Sequence, residues 1–538
     1  MGFQKAYMCV FMVFFAFSLV SCNDFLDKSP DNRADIKTPE QLSKLLVDGY
    51  MQQNYALLCE LSSDNFVDNN SPDANGVFYN LSAFDRSHDE IFSWQPVQSS
   101  QGSDSPSSVW NACYHAIAVA NHALDIIAGF ETQGRANEVR AQKGEALLIR
   151  AYNHFVLVNV FCQTYKNDLL SKSDSGVPYI TAPETKVLVH YQRSTVAENY
   201  KQIEEDLLQG LELIDDTKYA VPKYRFNKQA AYAFATRFYL YKRDYQKVIN
   251  YATLALGVNP GNLMRNWNAD FPTFESFSDG WINAQSGNNF LLISTYSTFN
   301  RIFGTRYGCN RDAVNATLLG EGPTWSAYHP SLNGRLYLRG SQEYGVFFPK
   351  IGEYFEYTDK ISGIGFAHII RAEFTAEETL LCRAEAYAML DMTQQAVADL
   401  KIYDDARKMN GFAAAELTET AIRNFYKKDK PLFVHTFNTT KISPDFVITD
   451  TQKPIIDCVL HFRRIETLFD GYRWFDIKRF GIEITHRIGK SQVEHLTWND
   501  DRRAIQIPFE VIAAGLTPNK RTVVHNTTPT IKFTVKPK

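Results

Sequence analysis

Four aromatic side chains and one amide fall where the chain reads as loop: Trp94 with Gln95 beside it, then Trp281, Trp325 and Tyr328. An aromatic face takes the C–H patch of a pyranose ring, and Asn, Gln, Asp or Arg takes the hydroxyls at its rim. Long loops carrying such rings are expected to form a sugar platform, and these five residues are its candidate contacts. Bond-making chemistry has no comparable signal. The chain has no HExxH, no phosphate loop and no Gly-x-Ser-x-Gly elbow. Gly363-Ile364-Gly365 lacks the strand-then-helix setting of a nucleotide fingerprint. The 12 histidines are scattered, and no carboxylate spacing singles out an acid–base pair. Asp68-Asn69-Asn70, Asp73 and Asn75-Gly76 are oxygen-rich but miss the spacing and distal glutamate of a calcium loop. No catalytic residue, metal or cofactor is expected.

Cys22 carries a different chemistry. It closes Leu19-Val20-Ser21-Cys22 after an apolar run from Ala6 to Val20 that follows a single cation, Lys5. A basic start, a short apolar middle and a small residue before the cut describe a secretory signal. The run is too short to span a bilayer, which takes about 20 apolar residues. The string resembles a bacterial lipobox, in which the cysteine is lipidated and becomes the first residue. Stable anchoring needs at least two acyl chains, each buried methylene contributing about 0.8 kcal/mol.

Composition narrows the partners. The 56 basic and 60 acidic residues are interspersed without a basic block, so no nucleic-acid partner is expected. Apolar content of 45% supplies an ordinary globular core. Cys59, Cys113, Cys162, Cys309, Cys382 and Cys458 form no CxxC pair and read as small buried hydrophobes.

The elements that position these residues read as mostly α. Residues 1–21 are the signal and 22–36 a polar tether. Thr38-Pro39-Glu40-Gln41 opens a helix with a capping box. Residues 62–108 are rich in Asp, Asn, Ser and Gly and read as a long functional loop. Helical spacing then covers 109–127, 138–161, 193–213 and 228–256. In the last of these, Ala230, Ala233, Tyr239 and Leu240 precede Asp244-Tyr245-Gln246-Lys247-Val248-Ile249, Tyr251-Ala252, Ala255-Leu256 and Asn259-Pro260. That string resembles the second half of a tetratricopeptide repeat, with a weaker echo over 377–410. One helix pair cannot bury its face alone, so several should stack. Residues 261–370 lose the helical period and read as a loop-rich insertion with short strands, such as 289–294. Within 371–538 a helix is expected near 454–469 and a strand over 530–535. All of 37–538 is expected to form one compact unit, divided as 37–260, 261–370 and 371–538.

Several strings carry a family resemblance. They are Asn23-Asp24-Phe25-Leu26-Asp27 after the lipobox, Ser63-Asp64-Asn65 ahead of Trp94, and Gly176-Val177-Pro178 before Arg193-Ser194-Thr195-Val196. Arg371, Glu377-Glu378 and Arg383-Ala384-Glu385-Ala386 follow. The strongest block runs from Arg463-Arg464-Ile465-Glu466 to Gly471-Tyr472-Arg473-Trp474-Phe475-Asp476-Ile477-Lys478-Arg479, with Arg503-Ala504-Ile505-Gln506-Ile507-Pro508 near the end. In order and spacing the chain resembles the SusD-like (RagB/SusD) outer-membrane lipoproteins of Bacteroidetes.

The resemblance implies a tetratricopeptide-like helical scaffold with long irregular loops and a few short strands. It also implies a non-catalytic, lipid-anchored protein of the cell surface that binds oligo- or polysaccharide. The partner it implies is a SusC-like TonB-dependent outer-membrane barrel, and Trp94 lies where the family often places a binding aromatic. The alternatives are a peptide binder or a purely structural lid of the transporter complex, and, further off, a surface hydrolase. The charges from Arg463 to Arg479 could clamp an anion, but acid and arginine interleaved at helical spacing more often tie a fold together.

Overall fold

A computed structural model describes residues 36–73, 75–185, 189–273, 276–326, 337–339, 344–408, 415–427 and 429–522. Cys22, Tyr328 and the strand expected over 530–535 lie outside the described residues.

The capping box forms as the sequence requires. Helix α1 (Pro39–Val47) starts where Thr38 Oγ1 accepts from Gln41 N at 3.3 Å, while Gln41 Oε1 accepts from Thr38 N at 3.2 Å. Helix α1 ends at Val47, and a separate, wholly buried α2 runs Ala56–Ser62. A short α3 (Ser87–Phe92) follows in the loop region.

The scaffold is then built from stacked helices. They are α4 (Pro106–Thr132), α5 (Arg140–Phe161) and α6 (Val196–Leu213), followed by α7 (Lys228–Lys242) and α8 (Tyr245–Leu256). Helix α5 lies between α4 and α6 and is buried along nearly its whole length. It approaches α6 so closely that a Cβ on Gly144 would stand 2.8 Å from Ile214 N. The repeat-like string folds as read. Ala230, Ala233, Ala252 and Ala255 are fully or almost fully buried where α7 meets α8, and Asp244 caps α8. The second pair, α9 (Ala376–Met389) and α10 (Thr393–Ala406), packs on from α8, and α11 (Lys453–Glu466) rests against α9.

The insertion contributes an antiparallel three-stranded sheet. Strand β1 (Asn289–Tyr296) pairs with β3 (Ile364–Thr375), and β2 (Glu353–Asp359) pairs with the outer side of β3. Two further elements lie near the C-terminus. One is α12 (Tyr472–Phe480), buried at every position. The other is a hairpin of β4 (Ile484–Ile488) and β5 (Gln492–Leu496).

The charged block of 463–479 is structural. Arg463, Arg464, Glu466, Arg473, Asp476, Lys478 and Arg479 are all buried. Arg479 holds Glu385 on α9 and Asp476 on α12 at 2.7 Å each, and Arg463 Nε reaches Asp476 Oδ2 at 3.2 Å. Burial pushes the Asp476 pKa up, but Arg463 and Arg479 outweigh it and keep the carboxyl below its ordinary value. The network extends through Arg237–Glu373 (2.7 Å) and Arg265–Glu377 (2.7 Å), tying α7, β3 and the insertion to α9. Lys478 donates to the carbonyls of Asn159 (2.6 Å) and Cys162 (2.7 Å), satisfying the C-terminal end of α5. All six cysteines described are free and buried.

Candidate functional site

Two segments that read as separate loops in sequence meet in space. Val67–Asp68 pairs with Tyr307–Gly308 of the insertion, and Asn69 Nδ2 donates to the carbonyls of Thr305 (3.1 Å) and Tyr344 (3.0 Å). Arg306 fixes the junction through Asp68 at 2.8 Å and Asp89 at 2.9 Å. The β4–β5 hairpin closes the third side, its Gly489 N–H donating to Asp68 Oδ2 at 2.8 Å.

Between the three segments lies an open groove of about 460 Å³. Most of the polar atoms in its walls are spent on the fold. Asp68 serves Arg306, Asn70 N and Gly489 N, and Asp73 Oδ1 accepts from Asn75 N and Val77 N at 2.8 Å each. Three groups in the lining remain uncommitted among the described residues. The exposed carboxylate of Asp312 and the exposed guanidinium of Arg487 have no ion-pair partner, and Ser71 Oγ is buried without a hydrogen bond. Just beyond the turn closed by Asp73 and Val77, the ring of Phe78 is 44% exposed, with the Lys490 ammonium 4.3 Å from its centroid. The groove thus offers one anion and one cation, Asp312 and Arg487, on a wall whose other polar atoms are mostly committed. A balanced pair of opposite charges suits a neutral polyol ring better than a charged ligand.

His486 forms part of the wall. Its ring is stacked with Phe92 at 4.1 Å and with Trp94 at 4.2 Å, and its two nitrogens meet the carbonyls of Phe92 (2.7 Å) and Ser63 (2.9 Å). Burial lowers its pKa against those carbonyls, which favour the charged ring. The neutral imidazole can donate to only one of the two.

The structure buries the three tryptophans of the expected platform. Trp94 is 5% exposed, its indole N–H donates to Ser62 O at 2.9 Å, and besides His486 the Arg502 guanidinium lies 5.4 Å from its ring. Trp281 is 3% exposed, with Arg265 3.8 Å from its ring centroid and Phe277 stacked at 5.5 Å. Trp325 is buried over Gly322 and donates to Gly320 O at 2.9 Å. None of the three presents an open face for stacking. Gln95 is exposed beside Trp94 but does not line the groove. Phe78, Asp312 and Arg487 were not singled out from sequence. The available signal was the aromatic pair Phe78-Tyr79 directly after the Asp73–Gly76 turn.

Two family models match the chain. Residues 24–240 match one described as starch-binding, associating with the outer membrane, and residues 337–511 match the model of the SusD family. The chain belongs to the SusD/RagB family. No curated protein matches it significantly. Solved structures of the superfamily share its fold at low identity. A SusD superfamily protein from Bacteroides thetaiotaomicron is 18% identical with a TM-score of 0.60, the match covering 90% of this chain and all of the other. A SusD-like carbohydrate binding protein from Bacteroides vulgatus is 15% identical with a TM-score of 0.55, over 89% of this chain and 97% of its own. A SusD superfamily protein from Parabacteroides distasonis is 17% identical with a TM-score of 0.55, over 90% and 99%. Among the described residues no helix is long and apolar enough to cross a membrane.

Proposed function

We propose that this protein is a non-catalytic lipoprotein of the outer-membrane surface that binds a glycan and passes it to a TonB-dependent barrel. The observation that carries the reading is the groove, where two irregular segments and a hairpin leave the exposed side chains of Asp312 and Arg487 without an ion-pair partner among the described residues. The family description and the carbohydrate-binding relative from B. vulgatus support a sugar as occupant. A glycosidase needs two carboxylates at the scissile bond. Of the three aspartates lining the groove, Asp68 is held by Arg306 and Asp73 by its own turn, which leaves Asp312. That count favours binding over cleavage. Lipid on Cys22 would hold the protein at the membrane through the polar tether.

Calorimetry of the purified protein against a broad glycan panel tests the reading. Heat with one glycan class and no released product supports it. Silence across the panel with binding to peptides, or release of shorter sugars, rejects it. Affinity-purification from the native membrane tests the barrel: a TonB-dependent transporter should co-purify.

A further inference from the structure

A second cleft, larger than the groove and built differently, opens beside α4. It holds about 650 Å³, within the range of ordinary small-molecule sites. One wall is a stripe of α4 carrying Trp110, Tyr114 and Ile117. The opposite wall is the segment from Pro178 to Ala182, and Leu516 closes one side.

Polar rivets hold the walls apart. Tyr114 Oη donates to Pro178 O at 2.9 Å, and Asn121 Nδ2 donates to Ile180 O at 3.0 Å. Asn121 Oδ1 is in turn fixed by Arg150 Nη1 at 3.0 Å, and Arg150 is locked to Asp206 at 2.7 Å. The cleft is therefore preformed, and a ligand entering it would not have to order the loop. The rivets engage Tyr114 and Asn121; further hydrogen-bonding capacity lies with His122 of α4 and at the rim, where Tyr191 donates to Glu184 and where His190 and Gln192 stand in the open.

The charge of the lining narrows the occupant. Among the described residues no Lys or Arg side chain lines the cleft, and Glu184 contributes its carboxylate. An anionic ligand would lose its hydration and meet a like charge. We propose that this cleft is a binding site for an uncharged aromatic ring carrying polar substituents on one edge, distinct from the groove. The ring lies between Tyr114 and Ala118 of α4 on one side and Pro178 and Ile180 on the other, with its hydroxyl at Glu184.

The test uses two ring probes of equal size on the full chain, titrated by fluorescence at neutral pH. 2-Naphthol is neutral and 2-naphthoate is an anion. The proposal expects naphthol to bind and naphthoate to bind about tenfold or more weakly. Ala118 is an exposed residue of α4 in the lining, so Ala118→Trp fills the cleft from the surface, and His190→Trp narrows it from the opposite rim. Each variant, checked for an unchanged melting temperature, should cut naphthol affinity about tenfold or more. Glu184→Gln should narrow the gap between the probes. Absence of naphthol binding, equal affinity for the two probes, or binding unchanged in both plugged variants overturns the proposal. If Ala118→Trp does not fold, the His190→Trp and Glu184→Gln arms decide.

Discussion

Arg473 grips Asp64 with both prongs of its guanidinium, Nε to Oδ1 at 2.7 Å and Nη2 to Oδ2 at 2.8 Å, across a separation of 409 residues. Arg464 joins the same carboxylate at 3.4 Å. Burial would raise the Asp64 pKa, but the two guanidiniums hold it far below the usual carboxylate range. The pairing fixes the start of the loop that walls the groove to the helix that ends the buried network.

Removing that carboxylate leaves two buried cations facing each other. Asp64→Ala should destabilise the protein by about 3–5 kcal/mol, the cost of breaking a buried pair. Deleting Glu353, which meets the half-exposed Arg301 at 2.7 Å, should cost under about 1 kcal/mol. Urea melts of the two variants separate the cases; equal losses would refute a structural role for the Asp64 cluster.

Glu60 supplies a pH signature. Its Oε1 accepts from the N–H groups of Phe469 (3.0 Å) and Gly471 (2.9 Å), pinning the turn before α12. Gly471 is required there: its φ is +83°, and a Cβ would come within 2.9 Å of Cys59 Cβ. Burial raises the Glu60 pKa to about 7, against the hydrogen bonds from Asn65 and Gly471. The folded state therefore binds this proton more tightly than the unfolded chain. The contribution is complete below the unfolded value near 4.3 and is lost as pH rises towards 7. The stability of wild type relative to Glu60→Gln should fall by about 3 kcal/mol between pH 4 and pH 8. Denaturation curves across that range check it; a flat difference contradicts the assignment.

Trp94 and the groove residues should respond in opposite ways. Trp94→Ala should lower stability by about 3–5 kcal/mol, as for other buried Trp deletions. Asp312→Ala and Arg487→Ala should leave the melting temperature unchanged and weaken glycan binding about tenfold, or about 1.4 kcal/mol each. Thermal melts and calorimetry on the same preparations read both quantities.

Much of this scaffold is legible in sequence because its signals are local. The Thr38–Gln41 box and the Asp244–Pro260 string depend on neighbours within a turn or two, and both form as read. Helix α12 shows its charges at helical spacing but not their partners. It is buried on every side, and its Asp476 and Arg479 pair with residues of other elements. The burial of Trp94 is hidden in sequence because its stacking partner His486 belongs to a hairpin near the other end of the chain. The groove shares that difficulty, since its walls come from three distant segments and its free groups are recognised only by what their neighbours leave unpaired.

The lipid anchor has its own test. Mass spectrometry of the native protein should find the mature chain beginning at acylated Cys22, and Cys22→Ser should move the protein out of the membrane fraction. An unmodified amino terminus would remove the anchor from the account.

The most direct measurement of the central claim is calorimetric titration of the purified protein with the glycan selected by the panel, run beside Asp312→Ala and followed by chromatography of the recovered sugar. The account predicts saturable binding, about tenfold weaker in the variant, with the glycan recovered intact. Equal affinity in wild type and variant, or shortened sugar in the eluate, would contradict it.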